Sequence, residues 1–71
     1  MNNIVKNKKL WRKFRIRALE LNKGVSEIGR EIGLSRASIY YFLMGQRKLA
    51  DSTIERLCKS LNVPSDFFEE N

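Results

Sequence analysis

The chain has 71 residues, room for one domain with one modest core, and 42% of them are hydrophobic. A single cysteine excludes an intramolecular disulfide, and no apolar run approaches the ~20 residues that a membrane span needs. The net charge is +6, and it is uneven: residues 1–50 carry 12 basic and 3 acidic side chains, whereas residues 51–71 carry 2 and 5. This distribution favours a polyanionic partner over charge that serves solubility alone.

The sequence predicts a basic N-terminal arm over residues 1–7 and a single all-α domain over residues 8–71. A first helix is expected from about Lys8 to Leu21, because apolar side chains recur there at three- and four-residue spacing. Ile16 falls opposite that stripe and is predicted to be exposed. Gly24 is expected to end the segment in the left-handed conformation.

A second helix is predicted from Val25 to Ile32, with one apolar face. Gly29 lies in its middle, where glycine costs about 1 kcal/mol relative to alanine. Its presence there is explained if another backbone segment approaches closely. The next three residues, Gly33-Leu34-Ser35, are predicted to form a turn in which Leu34 is buried at the angle and Ser35 caps the following helix.

A third helix is predicted from about Arg36 to Met44, with Ile39, Phe42 and Leu43 facing inward and Gly45 as its C-terminal stop. The spacing and the turn together indicate a helix-turn-helix.

Two more helices complete the prediction. The fourth is expected from about Thr53 to Leu61, where Ser52–Glu55 matches the capping-box pattern. The fifth is expected over residues 63–68, with Pro64 at its first position and Phe67 or Phe68 closing the core.

A short helix held by a fixed turn, with free outer residues and flanking positive charge, has what is needed to read the major groove of DNA. Arg36 is the strongest candidate, because its guanidinium fork matches the O6 and N7 acceptors of guanine, although it is also compatible with a solvated surface role. Ala37 suits a thymine methyl group. The predicted base contacts are Ser35, Arg36, Ala37 and Tyr41, and the predicted phosphate contacts are Ser38, Arg47, Lys48 and Arg30.

The run Ile28-Gly29-Arg30-Glu31-Ile32-Gly33-Leu34-Ser35-Arg36-Ala37-Ser38-Ile39, followed by Gly45 and Ile54…Leu61-Asn62-Val63, resembles the phage repressor and Cro-type (XRE-like) helix-turn-helix family. The resemblance covers almost the whole chain. It implies a compact, lambda-repressor-like domain of five helices, often dimeric on DNA. It also implies base contacts from Ser35, Arg36, Ala37 and Tyr41.

Three positions depart from the family pattern. Val25 stands where members often have a glutamine that contacts phosphate, and Leu43-Met44 stand where Glu-Asn or Glu-Arg often precede the closing glycine. In some members that glutamate pairs with a helix-one arginine, and Ala18 occupies the corresponding position here. Replacing a buried ion pair by two apolar groups is a change that can be neutral or stabilising.

Two functions follow as hypotheses. The leading one is a sequence-specific DNA-binding transcriptional regulator of bacteriophage or mobile-element type, repressing as a homodimer on double-stranded DNA. The alternative is a protein-interaction module of the same fold that binds and modulates another repressor, as a co-repressor or antirepressor, with weak DNA binding of its own. It rests on the apolar run 40–44, which cannot all face inward and would favour a protein partner where exposed. The predicted partner surface is Tyr40, Tyr41, Leu43 and Met44.

Other classes of function are not predicted. The chain has no histidine and no carboxylate or cysteine cluster with metal-ligand spacing, so we expect no catalytic residue, metal, cofactor or small-molecule ligand. Attachment of the basic first helix to a membrane surface is disfavoured, because Trp11 and Phe14 are needed in the core. The lone cysteine and the lack of an apolar run after Met1–Leu10 predict a cytoplasmic protein without a signal peptide.

Overall fold

A computed structural model describes residues 8–69, with side chains described from Lys9 onward, and all the regular structure in this range is α-helical. The helices are α1 (Lys8–Glu20), α2 (Val25–Ile32), α3 (Arg36–Leu43) and α4 (Asp51–Leu61). The all-α prediction is confirmed. The predicted basic arm, residues 1–7, lies outside the described residues. Among residues 8–69, none of the helices combines the length and apolar character needed to cross a membrane.

The predicted fifth helix over residues 63–68 is wrong, so the described part of the chain has four helices rather than five. The segment forms a turn instead. The amide of Phe67 donates to the carbonyl of Pro64 and the amide of Glu69 to that of Asp66, both at 3.0 Å. Each bond spans three residues, and the four-residue ladder of an α-helix does not develop.

Two basic side chains of α1 hold this C-terminal region. The ammonium group of Lys13 donates to the carbonyl oxygen of Phe67 and lies 4.9 Å from the centre of its ring. One turn along, Arg17 donates from Nε to the carbonyl of Leu61 at 2.8 Å and from Nη2 to that of Asn62 at 3.3 Å. The guanidinium therefore occupies the C-terminal end of α4, where unpaired carbonyls and the helix dipole favour a cation.

The start of α4 differs from the prediction. The helix begins at Asp51, two residues before Thr53, and its N-cap is Ala50, which offers no side-chain acceptor. The amides of Thr53 and Ile54 both donate to the Ala50 carbonyl at 3.0 Å. The capping box predicted over Ser52–Glu55 is not formed, because Ser52 already lies inside the first turn. Asp51 occupies the first position, where the helix dipole stabilises a carboxylate.

The end of α1 is also set by a different residue from the one predicted. Asn22, with φ 58°, takes the left-handed conformation, whereas Gly24 is extended at φ −93° and serves as the N-cap of α2. The amide of Lys23 reaches back to the carbonyl of Ala18 at 2.9 Å, which closes the helix after Glu20. Asparagine is among the few residues that adopt this conformation at modest cost.

The core is formed by the inner faces of the four helices and by one aromatic side chain of the C-terminal turn. Phe68 is that side chain, whereas Phe67 is half-buried. Ile16 is 59% exposed, as predicted. The buried residues are Phe14, Ala18, Ile28, Ile32, Ile39, Phe42, Leu43, Leu57, Cys58, Leu61 and Phe68.

A polar network joins the α1–α2 loop, α2 and α4. Lys23 donates to Glu31 Oε1 at 3.0 Å and to the carbonyl of Ser60 at 2.9 Å, and the Ser60 hydroxyl donates to the same Glu31 oxygen. These bonds favour the ionised carboxylate. The Ser60 hydroxyl first, and then Lys23, hold the pKa of Glu31 below its ordinary value.

We expect Glu31→Gln to lower the free energy of unfolding at neutral pH and to have little effect in acid. The pKa of Glu31 is lower in the folded than in the unfolded chain, so its stabilisation is complete above the unfolded pKa. That stabilisation is lost as the pH falls through the folded pKa. Thermal unfolding across a pH series measures the difference, with Glu27→Gln as control, since Glu27 is exposed on the same helix. Identical pH profiles for the two variants would contradict the network.

Candidate nucleic-acid interface

The turn between α2 and α3 fixes how the two helices meet. Gly33 takes the left-handed conformation at φ 77°, and its amide and that of Leu34 both donate to the carbonyl of Gly29, at 2.8 and 2.9 Å. A Cβ on Gly29 would lie 2.5 Å from the Leu34 carbonyl oxygen. The close backbone approach predicted at this glycine is therefore confirmed, and it lets the turn fold tightly against α2.

The amino end of α3 carries a chain of side-chain hydrogen bonds. Ser35 is the N-cap, as predicted, and its Oγ accepts the amide of Ser38 at 3.2 Å. The two hydroxyls lie 3.1 Å apart, and Arg47 donates from Nη1 to the Ser38 hydroxyl at 2.6 Å. Arg47, which follows α3 in sequence, is thus held beside the first turn of that helix.

The outer face of α3 is exposed to solvent. Arg36 and Ala37 are exposed in its first turn, and Tyr41, four residues after Ala37 and on the same side, is 52% exposed. Ile39 and Phe42 are buried on the opposite side. Each helix thus gives one face to the core, and α3 leaves its other face open along with the Ser35–Ser38–Arg47 chain.

A family model described as helix-turn-helix matches residues 12–68, which is more than half of the chain and includes α2, the turn and α3. The chain belongs to the helix-turn-helix family, Cro/XRE type. Members of this family are DNA-binding transcription regulators and are typically not enzymes. No curated protein matches the chain.

In this helix-turn-helix protein the predicted contact residues are not all brought together. Ser35, Ser38 and Arg47 are hydrogen-bonded to one another, and Arg36, Ala37 and Tyr41 share the open side of α3. Arg30 on α2 and Lys48 after α3 are exposed, but no hydrogen bond in residues 8–69 ties them to the group. The predicted surface thus has a hydrogen-bonded centre, to which the exposed side chains of Arg30 and Lys48 are not joined.

One part of the predicted protein-partner surface is wrong. Leu43 is fully buried, because it follows Ile39 by four residues and lies on the same core-facing side of α3. Tyr40 is half-buried against Trp11, with ring centres 5.1 Å apart, and Met44 is half-buried at the helix end. Tyr41 is the one exposed member of the predicted set.

The hydrogen bond from Arg47 to Ser38 was not predicted, although it follows from the chain reversal at Gly45. Gly45 has φ 79°, and the amide of Gln46 donates to the carbonyl of Tyr41 at 2.8 Å. The left-handed glycine reverses the chain immediately after α3, so the second residue beyond it returns toward the helix. The sequence signal for this bond is the helix-ending Gly45, followed two residues later by Arg47.

Proposed function

We propose that this protein is a sequence-specific DNA-binding transcriptional regulator of phage or mobile-element type, and that α3 reads the major groove. The observation that supports this most strongly is the charge at the amino end of α3. Arg36 and Arg47 both lie there, and the first turn of the helix has no acidic residue.

Without a ligand, this charge arrangement lowers the stability of the fold. The N-terminal end of a helix carries partial positive charge and is stabilised by anions rather than cations. Two arginines beside that end add repulsion, which an incoming phosphate would remove while accepting hydrogen bonds from the free amides. The arrangement is therefore explained by a polyanionic ligand.

The open face of α3 supplies groups for both kinds of DNA contact. In the proposal, Ser35, Arg36, Ala37 and Tyr41 contact base edges, with Arg36 bidentate to a guanine. Arg47, positioned by the Ser38 hydroxyl, binds a backbone phosphate and sets the register of the helix in the groove. The remaining proposed phosphate contacts are Ser38, Lys48 and Arg30. The protein acts as a homodimer in this proposal, so that two copies of α3 read one operator.

We expect Arg36→Ala and Arg47→Ala to weaken DNA binding in different ways. Arg36→Ala should cost about 1–3 kcal/mol on the preferred site and reduce discrimination at one base pair. Arg47→Ala should weaken binding to all sequences alike and lower the slope of log K against log salt by about 1, because it removes a phosphate contact. Titration of labelled duplexes at several salt concentrations measures both effects.

Arg12→Ala is the matched control, because Arg12 is exposed on α1, which the proposal does not place in the groove. Sequence discrimination unchanged by Arg36→Ala would contradict the base-reading role. An unchanged salt slope in Arg47→Ala would contradict the phosphate contact.

One observation favours the second function, modulation of another repressor by contact with α3. Tyr41 is 52% exposed on the same side of α3 as Ala37, and an aromatic ring there suits a protein surface as well as a base edge. In that case Tyr41→Ala would abolish binding to the partner repressor, and affinity for DNA would stay near the non-specific level in every sequence tested.

A further inference from the structure

A second surface lies between α1, the start of α2 and α3. It is an open groove of about 290 Å³ whose apolar lining includes Trp11, Leu19, Val25 and Tyr40. Leu19 is 68% exposed, more than any other large hydrophobic side chain in residues 9–69. Its position beside a groove makes it part of a continuous apolar surface rather than an isolated surface leucine.

The charged groups at this groove are cationic. Arg15 and Lys23 line it, and no carboxylate among the described residues does. Lys23 already pairs with Glu31 at 3.0 Å, whereas Arg15 makes no ion pair within residues 8–69. An occupant of the groove therefore gains from apolar side chains that fill it and from acidic groups that meet Arg15.

DNA does not supply this combination, because a sugar–phosphate backbone offers charge but few apolar groups. A second copy of the chain does not supply it either. Its α1 is strongly basic, and its α4 carries two basic and two acidic side chains and presents no exposed large apolar side chain in the described structure. The complementary occupant is an amphipathic helix with an aliphatic ridge flanked by aspartate or glutamate.

We propose that this groove is a docking site for an acidic amphipathic helix of a partner protein. The aliphatic ridge of the partner packs on Trp11, Leu19 and Val25, and its carboxylates pair with Arg15. Tyr40 lines the groove and belongs to the same helix as Arg36, so the docked partner contacts α3 at Tyr40. The docking site does not depend on whether α3 binds DNA.

The test uses a synthetic helical peptide of about 18 residues, long enough to hold helical structure. It carries leucine at positions i, i+3, i+4 and i+7, glutamate on both flanks and alanine elsewhere. Trp11 is the only tryptophan of the chain and lines the groove, so its fluorescence reports occupancy directly. We expect a saturable change in Trp11 emission with the full-length protein, and no such change with a peptide that has lysine in place of glutamate.

A matched pair of variants locates the site. Leu19 and Ile16 are both exposed aliphatic residues of α1, but only Leu19 lines the groove. Leu19→Ser should weaken peptide binding about tenfold, as expected for loss of one buried leucine, whereas Ile16→Ser should leave it unchanged. Circular dichroism checks that both variants remain folded.

Three results would overturn the proposal. Equal effects of Leu19→Ser and Ile16→Ser would place the peptide elsewhere on α1. Equal binding of a peptide with the same composition but dispersed leucines would show that charge alone is recognised. Binding to anionic phospholipid vesicles, lost in both variants, with no response to the peptide, would assign the surface to a membrane.

Discussion

Leu43→Glu is expected to leave the domain unfolded at neutral pH. Leu43 is completely buried on the inner side of α3, between the elements that form the core. An unpaired carboxylate placed there costs several kcal/mol through desolvation, and a core of this size supplies only about 3–5 kcal/mol in total. Circular dichroism and urea titration measure the loss, and Ile16→Glu, at an exposed position of α1, should cost less than about 0.5 kcal/mol.

Leu43→Glu also tests how the apolar residues Leu43 and Ala18 replace the ion pair found in some family members. The resemblance places a glutamate at Leu43 and a pairing arginine at Ala18 in some members, and both positions are buried here. If the two residues face each other, adding Ala18→Arg to Leu43→Glu should recover about 1–3 kcal/mol relative to the sum of the single changes. A double variant no more stable than that sum would show that the apolar pair does not replace the ion pair. A folded Leu43→Glu single variant of native stability would contradict the burial itself.

Gly29→Val should cost about 2–3 kcal/mol, enough to remove most of the stability of a domain this small. The Cβ alone would lie 2.5 Å from the Leu34 carbonyl oxygen, and 3.6 Å from Ile39 Cδ1. Because the first of these atoms belongs to the backbone of the turn, relief requires α3 to move relative to α2. We expect DNA affinity to fall along with stability, since that movement displaces Arg36.

Gly24→Val is the control for this change. Its φ of −93° is ordinary for any residue, and nothing lies within 4 Å of the Cβ it would gain. The expected cost is below about 1 kcal/mol, from the poorer N-cap alone. Equal destabilisation by the two valines in urea titrations would show that the close approach at Gly29 is not what holds the turn.

The elements nearest the turn were the most predictable. The bounds of α2 match the prediction at both ends, because Gly33 ends it and its three apolar residues define one face. The N-cap of α3 at Ser35 and the left-handed glycine after its C-cap, Gly45, were likewise predicted from residue types with one strong local preference. The local preferences of these residues are enough to set the ends of α2 and α3 without tertiary contacts.

The prediction was wrong where two neighbouring residues could each end or cap a helix. Both Asn22 and Gly24 can take the left-handed conformation, and Asn22 is the residue that does so. Both Ala50 and Ser52 can precede a helix, and α4 begins directly after Ala50. The segment after Pro64 is too short to form a helix unaided, and the carbonyl of Phe67 is instead bound by the Lys13 side chain of α1.

The candidate site was predictable in residue type but not in arrangement. Exposed positions at the start of α3 follow from helical periodicity, which identifies Arg36 and Ala37 directly. The bond between Arg47 and Ser38 crosses a chain reversal and depends on rotamers of a long side chain, which periodicity does not specify. The groove lined by Leu19 depends on three elements meeting, and no local pattern indicates it.

Selection from random double-stranded DNA with the purified protein tests the central claim most directly. We predict enrichment of a defined sequence by the wild type, with a guanine whose preference disappears when the selection is repeated with Arg36→Ala. Arg12→Ala should enrich the same sequence as the wild type. Failure of the wild type to enrich any sequence at low salt, or enrichment of an identical sequence by Arg36→Ala, would contradict the proposal that α3 reads DNA.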